Sequence, residues 1–595
     1  MFKKSPTNHF KSYCSDDCAA NVQLLNGKGQ TYSNTYTNYT STASNSSSVS
    51  SYTSSFSNYN NNNSQHLGLS YYNCFPLPTV DMLYDKTGQY IPLILKCTLM
   101  DKTTQFNPYI SYSIYSHLCD IKQQIEQYQE SWDNMKKFTN PYEFIHTNIA
   151  GSKTNISKLR PLSRSFYKMI EMVVGMKLLD DYSHTIKCEP DYNSGIRTFH
   201  LAEGPGGFIE AISYLRGLEY AGRKTKQQTQ ISQDITVSSL SPNIQILKRN
   251  TEFHDEYIKE LEHNKVSKRI FERRMLTDIN PDSIKEVHSG IGICCGSAKQ
   301  YSGISQHEIY GNDRYYGMTL VNDDPICPGW KKTKTFLEAN PNVIIETGQD
   351  KTGNLLSLTN FQHCASKYRN KIDIITADGG FDFSVDFNNQ ENIASRLILA
   401  EVFYALALQK KGGSFILKIF DIFHKPTVDI LYILSYYYSN VSVMKPYTSR
   451  IANSEKYIIC QGFKLDDSSA LIQQISEFFP TFVEPATYES DDGHDNCNDE
   501  GTKITQLQIV SLLERNHDLF YLNKIEEMNA ILTCQQIENI SSTLSIITSH
   551  KNAEKIEQFK RQNIQKCISW CEKYNIPYFK QTSAIPGGNI FLHRA

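Results

Sequence analysis

The chain has 595 residues, 39% of them hydrophobic and 21% charged, with 60 Lys+Arg against 62 Asp+Glu and a formal net charge of −2. That length has room for several domains, and the balanced charge provides no global field to draw the chain onto nucleic acid, so any RNA or DNA contact must use a local patch. Fifteen cysteines without a framework of spacings argue against a secreted disulfide scaffold and for a reducing compartment.

The opening segment MFKKSPTNHF has two lysines but no apolar stretch behind them, so no signal peptide is expected. Residues 31–64 hold Ser, Thr, Asn or Tyr at all but three positions (Ala43, Val49 and Phe56) and no charge. Such a segment cannot bury enough apolar surface to offset its ordering entropy, and residues 1–74 are expected to form a disordered tail. From Phe75 the texture turns aromatic and aliphatic, and residues 75–159 read as an N-terminal helical accessory region with a helix over 117–137.

Residues 160–465 alternate helical spacing with short β-rich runs. A helix begins near Ser163, strands are predicted over 197–202, 315–320, 342–346, 372–377 and 414–420, and a strand pair over 441–444 and 456–460 closes the sheet edge. Ile393, Leu397, Ala400, Tyr404 and Leu408 recur at three or four residues and predict a crossover helix with one apolar stripe. Its most apolar part, from Leu397, is interrupted by Glu401 and is far short of the roughly 18–20 apolar residues a membrane span needs, so a soluble intracellular chain is expected. Apolar strands alternating with helices imply an α/β fold: a Rossmann-like doubly wound sheet, mostly parallel with an antiparallel edge strand. The pattern weakens over about 222–312, read as an insertion with a helical piece at 254–276. Residues 466–500 read as a helix and an acidic linker, and 501–595 as a small α-helical accessory domain with helical spacing over 503–533 and 551–574.

The sharpest local feature is PheHisLeuAlaGluGlyProGlyGlyPheIleGlu at 199–210, a strand running straight into three glycines and a helix. Gly204, Gly206 and Gly207 allow a tight turn and close approach of a ligand, while the helix start offers N–H groups. The spacing is neither G-x-G-x-x-G nor a P-loop, which disfavours NAD and ATP. The strand 372–377 ends in Asp378-Gly379-Gly380, placing a carboxylate where ligands bind in open α/β sheets, although an isolated Asp there also serves as a helix cap. Lys418 interrupts the apolar run 414–420 and is either snorkelling to the sheet edge or functional. The polar loop 445–457 delivers Glu455 to the next strand, and Lys168 lies well off the Phe166, Ile170 and Val173 face of its helix.

SerArgSerPheTyrLys (163–168), GluGlyProGlyGlyPhe (203–208), AspGlyGly (378–380), PheIleLeuLys (415–418) and SerArg with SerGluLysTyr (449–457) resemble, in order, the motifs of the FtsJ/RrmJ family of RNA ribose 2′-O-methyltransferases. The resemblance spans about 160–465. With TrpAspAsn (132–134) and AsnProTyrGluPheIle (140–145) it is closest to the Adrift-type cap-methyltransferase branch and its large-DNA-virus relatives. It implies S-adenosylmethionine as cofactor and Lys168, Asp378, Lys418 and Glu455 as the catalytic tetrad. Gly204, Gly206, Gly207 and Phe208 would then surround the methionine part of the cofactor, with Asp378 near the sulfonium and Asp350 reaching the adenine amino group. The cofactor-ribose contact after the second strand is unassigned among Thr319, Asn322 and Asp323.

Methyl transfer to a hydroxyl requires orientation and proton removal. Lys418 is assigned as general base and Lys168 as steering the hydroxyl, with the carboxylates orienting both. A free lysine with a pKa of about 10.4 is protonated at neutral pH, so Lys418 is expected to be neutral in the reactive complex, through burial beside the sulfonium and a second lysine. The substrate implied is capped mRNA, in the cytoplasm or in a virion if the source is viral. Lys445, Tyr447 and Arg450 are expected RNA contacts, and the basic stretch 265–274 is either a phosphate contact or a solvated helix face. A partner protein on the C-terminal helices is a further expectation. No metal centre is expected, because Cys14-x3-Cys18 lacks a second ligand pair. Two alternatives stand beside this reading: an rRNA 2′-O-methyltransferase of the same family, and a catalytically inactive RNA-binding or virion protein.

Overall fold

The computed structural model describes residues 73–101, 107–180, 182, 195–217, 312–321, 329–331, 333–380, 388–483, 507–549 and 553–579. Almost all of the expected tail, most of the insertion with its 254–276 and 265–274 stretches, and the acidic linker lie outside them.

The described strands are β1 (Cys74–Pro76), β2 (Thr98–Asp101), β3 (Arg197–Leu201), β4 (Arg314–Met318), β5 (Val343–Ile345), β6 (Ile372–Ala377), β7 (Gln409–Ile419), β8 (Tyr438–Met444), β9 (Lys456–Phe463) and β10 (Leu507–Ser511). Eight of them form one sheet in the order β1-β8-β9-β7-β6-β3-β4-β5. From β5 to β7 the pairing is parallel; β9, β8 and β1 continue it antiparallel. This is the expected Rossmann-like sheet, with a longer antiparallel side. The outermost strand is β1, from a region expected to be helical; at three residues it is too short to carry a period. β2 pairs with β10 in a second small sheet, which places a strand inside the 503–533 stretch expected to be helical.

The helices used below are α1 (Tyr112–Glu126), α2 (Gln129–Thr139), α3 (Ser165–Gly175), α4 (207–217), α5 (Lys334–Ala339), α6 (Leu358–Tyr368), α7 (Gln390–Leu408), α8 (Lys425–Tyr437), α9 (Ser469–Val483), α10 (Leu519–Thr548) and α11 (Ala553–Lys573). The helix expected over 117–137 is thus two helices, broken at Gln127 and Tyr128. No described helix is long and apolar enough to cross a membrane.

Strand alternation divides the core into two layers. Phe415, Leu417, Ile419, Ile458 and Cys460 face a layer built on α6, α7, α8 and α9. Ile374, Ile416, Tyr457 and Ile459 face the layer of α3, α4 and α11. Each fully buried Leu, Ile or Phe contributes about 2 kcal/mol through apolar burial. Two helices are more deeply enclosed than their patterns predict. α7 is buried all round from Ile398 to Leu408, and α3 is buried from Ser165 to Val173. The reason for α3 is tertiary: α11 lies across the side that would otherwise face solvent, with the Trp570 ring 5.9 Å from Tyr167.

Candidate active site

Antiparallel pairing of β7 with β9 sets Lys418 opposite Tyr457, and the pleat turns both toward the α3 layer together with Ile416 and Ile459. Lys168 reaches them from α3. Its ammonium donates to both Glu455 carboxylate oxygens at 2.9 Å and to the Tyr457 hydroxyl at 2.8 Å. That hydroxyl donates to Asp378 Oδ1 at 2.8 Å. Lys418 Nζ donates to the Asp378 backbone carbonyl at 2.7 Å and lies 3.2 Å from Asp378 Oδ1. Ser449 Oγ donates to Glu455 Oε1 at 2.8 Å. The four residues expected as a tetrad therefore occupy one hydrogen-bonded network. Tyr457, which the sequence reading passed over, joins its two halves; period-two alternation from Glu455 could have flagged it.

The charges in this network are mutually compensated. Burial works to lower the Lys418 pKa, but Asp378 and Glu455 outweigh it and hold the ammonium above its ordinary range. Burial likewise works to raise Glu455, yet Lys168, Lys418 and Lys445 keep it well below the usual carboxylate range. Burial, reinforced by the Asp378 and Glu455 charges, drives the Tyr457 hydroxyl far above its ordinary value, so it keeps its proton as a donor. The neutral Lys418 expected of a base is thus not its state in the ligand-free protein, because carboxylates outnumber the effect of burial there.

The loop 445–455, which carries the expected RNA contacts, is fastened from beneath. Lys445 is buried and donates to the backbone carbonyls of Asn453 and Glu455. Burial, with Lys456 nearby, pulls its pKa down to about 7. Arg450 forks onto the fully buried Glu143, Nε to Oε2 at 3.0 Å and Nη2 to Oε1 at 2.6 Å. Lys445 thus holds the loop backbone, and Arg450, partly exposed, anchors the loop to Glu143. Tyr447 is half-buried with its ring 5.5 Å from Tyr142, and its N–H donates to Glu171 Oε1 at 2.6 Å. Glu171, on α3, also accepts from the Thr448 N–H and hydroxyl and from Trp570 Nε1 at 3.3 Å. It ties α3, the loop and α11 together, a role invisible to local sequence.

At the carboxyl end of β3 the buried Glu203 closes the glycine turn by accepting from the Phe208 N–H, while Gly206 N–H donates to the Glu203 carbonyl at 2.7 Å. Gly206 has φ +97°, which favours glycine. A Cβ on Gly204 would lie 2.7 Å from the Gly329 carbonyl oxygen, one on Gly206 would lie 3.2 Å from the Trp330 ring, and one on Gly207 would overlap Ser163 and Ser165 Oγ. The chain's own packing therefore accounts for all three glycines. The Phe208 side chain is in the core, 6.0 Å from the Tyr457 ring, and its N–H is taken by Glu203.

Asp350 lies on the surface of the loop after β5. Its Oδ1 accepts from Thr352 N–H, Thr352 Oγ1 and Asn360 Nδ2, and its Oδ2 accepts from Ser357 Oγ at 3.0 Å. These hydrogen bonds hold its pKa down at about 2 against desolvation. Oδ2 keeps acceptor capacity for a ligand amino group. Of the three ribose candidates, Thr319 is buried just after β4, and Asn322 and Asp323 lie outside the described residues. No group of three or more metal-ligating side chains occurs among the described residues.

Parts of the chain are similar to known proteins. A 133-residue stretch, 21% of the chain, is 38% identical to cap-specific mRNA (nucleoside-2'-O-)-methyltransferase 2 of Drosophila melanogaster and covers 19% of that protein. A 152-residue stretch, 25% of the chain, is 39% identical to cap-specific mRNA (nucleoside-2'-O-)-methyltransferase 1 of Trypanosoma cruzi and covers 40% of it. A longer stretch, 43% of the chain, is 24% identical to the inactive cap-specific mRNA (nucleoside-2'-O-)-methyltransferase 1B of Caenorhabditis briggsae and covers 29% of it. The chain thus spans less than half the length of each of these relatives. The sequence profile of the FtsJ-like methyltransferases matches residues 161–463, about half of the chain and the whole of the sheet from β3 to β9, and the chain belongs to that family.

Proposed function

We propose that the chain is an S-adenosylmethionine-dependent RNA ribose 2′-O-methyltransferase acting on the cap-adjacent nucleotide of mRNA. The observation that carries this reading is the unbroken network Lys168–Glu455, Lys168–Tyr457, Tyr457–Asp378 and Asp378–Lys418 at the carboxyl edge of the sheet, in a chain of the FtsJ-like family. An inactive relative also matches, so likeness alone does not decide activity. The complete set of interacting side chains favours an active enzyme.

S-adenosylmethionine, when bound, supplies a methyl group already activated on a sulfonium. The residues fit such a group. Polar ends of β3, β5 and β6 converge where open α/β sheets bind ligands, and Asp350 and Asp378 present carboxylates with acceptor capacity. The buried Trp330 Nε1 beside the glycine turn also lacks an acceptor within the described chain. The remaining work is positioning and proton removal. Lys168, held on Glu455 and Tyr457, steers the ribose hydroxyl, and Asp378 and Glu455 orient the lysines. Lys418 takes the proton. Its resting ammonium is stabilised chiefly by Asp378, so positive charge brought to that carboxylate lowers the Lys418 pKa and produces the base form in the loaded complex.

The test is methyl transfer from labelled S-adenosylmethionine to capped and uncapped RNA of one sequence, with the label located by nuclease digestion. Label confined to capped RNA, on the first ribose, is the expected result. Label in both RNAs would move the target to internal or ribosomal sites, and no label with the cofactor bound would support an RNA-binding protein.

A further inference from the structure

Glu401 lies in the middle of α7, among Ala400, Val402, Phe403 and Tyr404, and is fully buried. Neither of its carboxyl oxygens makes a close, well-aligned hydrogen bond, and among the described residues no other buried carboxyl oxygen is left so. Its electrostatic neighbours are the Lys418 ammonium, the Asp378 carboxylate and the Gly379 N–H. Oε1 occupies the space a Cβ on Gly379 would need, beside Leu397 Cδ2 and Ala202 Cβ. Glu401 therefore presses on the Asp378–Gly379–Gly380 turn from the α7 layer, whereas Lys418 and Tyr457 reach the same turn from the α3 layer, with Lys168 behind Tyr457.

A carboxyl group in this setting is expensive. A buried acid without good hydrogen bonds sheds its charge rather than remain ionised, and an apolar residue of similar volume is usually as stable or more so. The rest of α7 is apolar over this stretch, so packing offers no reason for a glutamate. The turn it touches does offer one, since that turn holds Lys418 through the Asp378 carbonyl and carboxylate. Influence runs both ways: Lys418 favours ionised Glu401, and ionised Glu401 favours charged Lys418.

We infer that Glu401 is a positioning residue of the methyl transfer, a buried carboxyl that holds the Asp378–Gly379–Gly380 turn and adjusts the charge of Lys418 from the face of the sheet opposite Lys168. The inference rests on the methyltransferase reading. Burial, opposed mainly by Lys418, raises the Glu401 pKa to about 8 from an ordinary value of 4.5. The group is thus neutral at rest, and as it ionises it tightens the hold on the Lys418 proton.

Two variants test this in the full chain. Glu401→Leu is expected to melt at the wild-type temperature or above while kcat falls at least about tenfold and the KM for capped RNA stays within about threefold, the pattern of lost positioning rather than lost folding. Glu401→Gln separates protonation from shape. The folded wild type keeps the Glu401 proton up to about pH 8, and the unfolded chain releases it near 4.5, so unfolding sheds a proton across that window and stability falls as pH rises through it. Glu401→Gln lacks that part of the fall. Competitive acetylation of Lys418, read by mass spectrometry across pH, follows the lysine without any methyl transfer. Its midpoint is expected to drop by at least about half a unit in Glu401→Gln, the effect of removing a nearby negative charge. An unchanged midpoint overturns the inference, as does a Glu401→Leu protein whose kcat is unchanged or whose activity loss merely tracks a lower melting temperature. A wild type that transfers no methyl overturns the methyltransferase reading instead, and the acetylation midpoint still decides whether Glu401 governs Lys418.

Discussion

The parallel strands β3 and β5 end in turns built from neighbouring residues: Glu203 closes on Phe208, and Asp350 on Thr352 and Ser357. On the antiparallel side, β9 and the loop before it instead deliver Tyr457 and Glu455 to Lys168 on α3, hundreds of residues away, and Arg450 of the same loop takes Glu143, while Lys418 of β7 meets Asp378 at the end of β6. On the proposed methyltransferase reading the difference separates binding from chemistry: the parallel side offers ligand-facing groups whose geometry is locally fixed, and the antiparallel side brings Lys168, Lys418, Tyr457 and Glu455 to Asp378 by register and long-range packing.

The strongest way to break this contrast is Glu455→Ala. It strands the Lys168 ammonium and frees Ser449, and is expected to lower kcat by about 10³-fold, as for loss of a group that positions a reacting centre, with cofactor affinity nearly unchanged because the parallel side is untouched. Arg450→Ala should leave Glu143 buried without its fork, and removing one partner of a buried ion pair destabilises by about 3–5 kcal/mol. In that variant the salt dependence of RNA binding should keep its slope, which a phosphate-contacting arginine would reduce; urea unfolding and a salt titration check both. The pH dependence of kcat/KM is the next lever. Lys418 in the free protein is held above its ordinary range, so kcat/KM should rise about tenfold per unit up to at least about pH 9, following the neutral fraction of a lysine that titrates higher. A plateau below pH 8 would place the proton acceptor elsewhere. Tyr457→Phe removes only the hydroxyl between Lys168 and Asp378 and is expected to cost about tenfold in kcat, comparable to one buried hydrogen-bonded group, with a melting temperature close to wild type.

The same contrast explains what the sequence made legible. Strands β3, β6 and β7, the glycine turn, Asp378 and Lys418 could be read locally, because apolar runs, glycines and out-of-place charges announce them. Residues whose role depends on what lies across the fold could not. Lys168 looks like a surface lysine until Glu455 and Tyr457 take its ammonium, and nothing local shows that Lys445 holds the Asn453 and Glu455 carbonyls or that Arg450 pairs with Glu143. β1 is too short to show a period, and Tyr457, although two residues from Glu455, gains its partner from the register opposite Lys418, as Glu401 does from the turn after β6.

The most direct measurement of the central claim is turnover of Lys418→Ala on capped RNA at saturating cofactor, with cofactor binding followed by calorimetry on the same preparation. The account predicts a loss of about 10²–10⁴-fold in kcat, the range for removal of a general base, with the cofactor bound as in the wild type. Turnover within about threefold of wild type would contradict it, since a factor that small is worth under 1 kcal/mol of barrier.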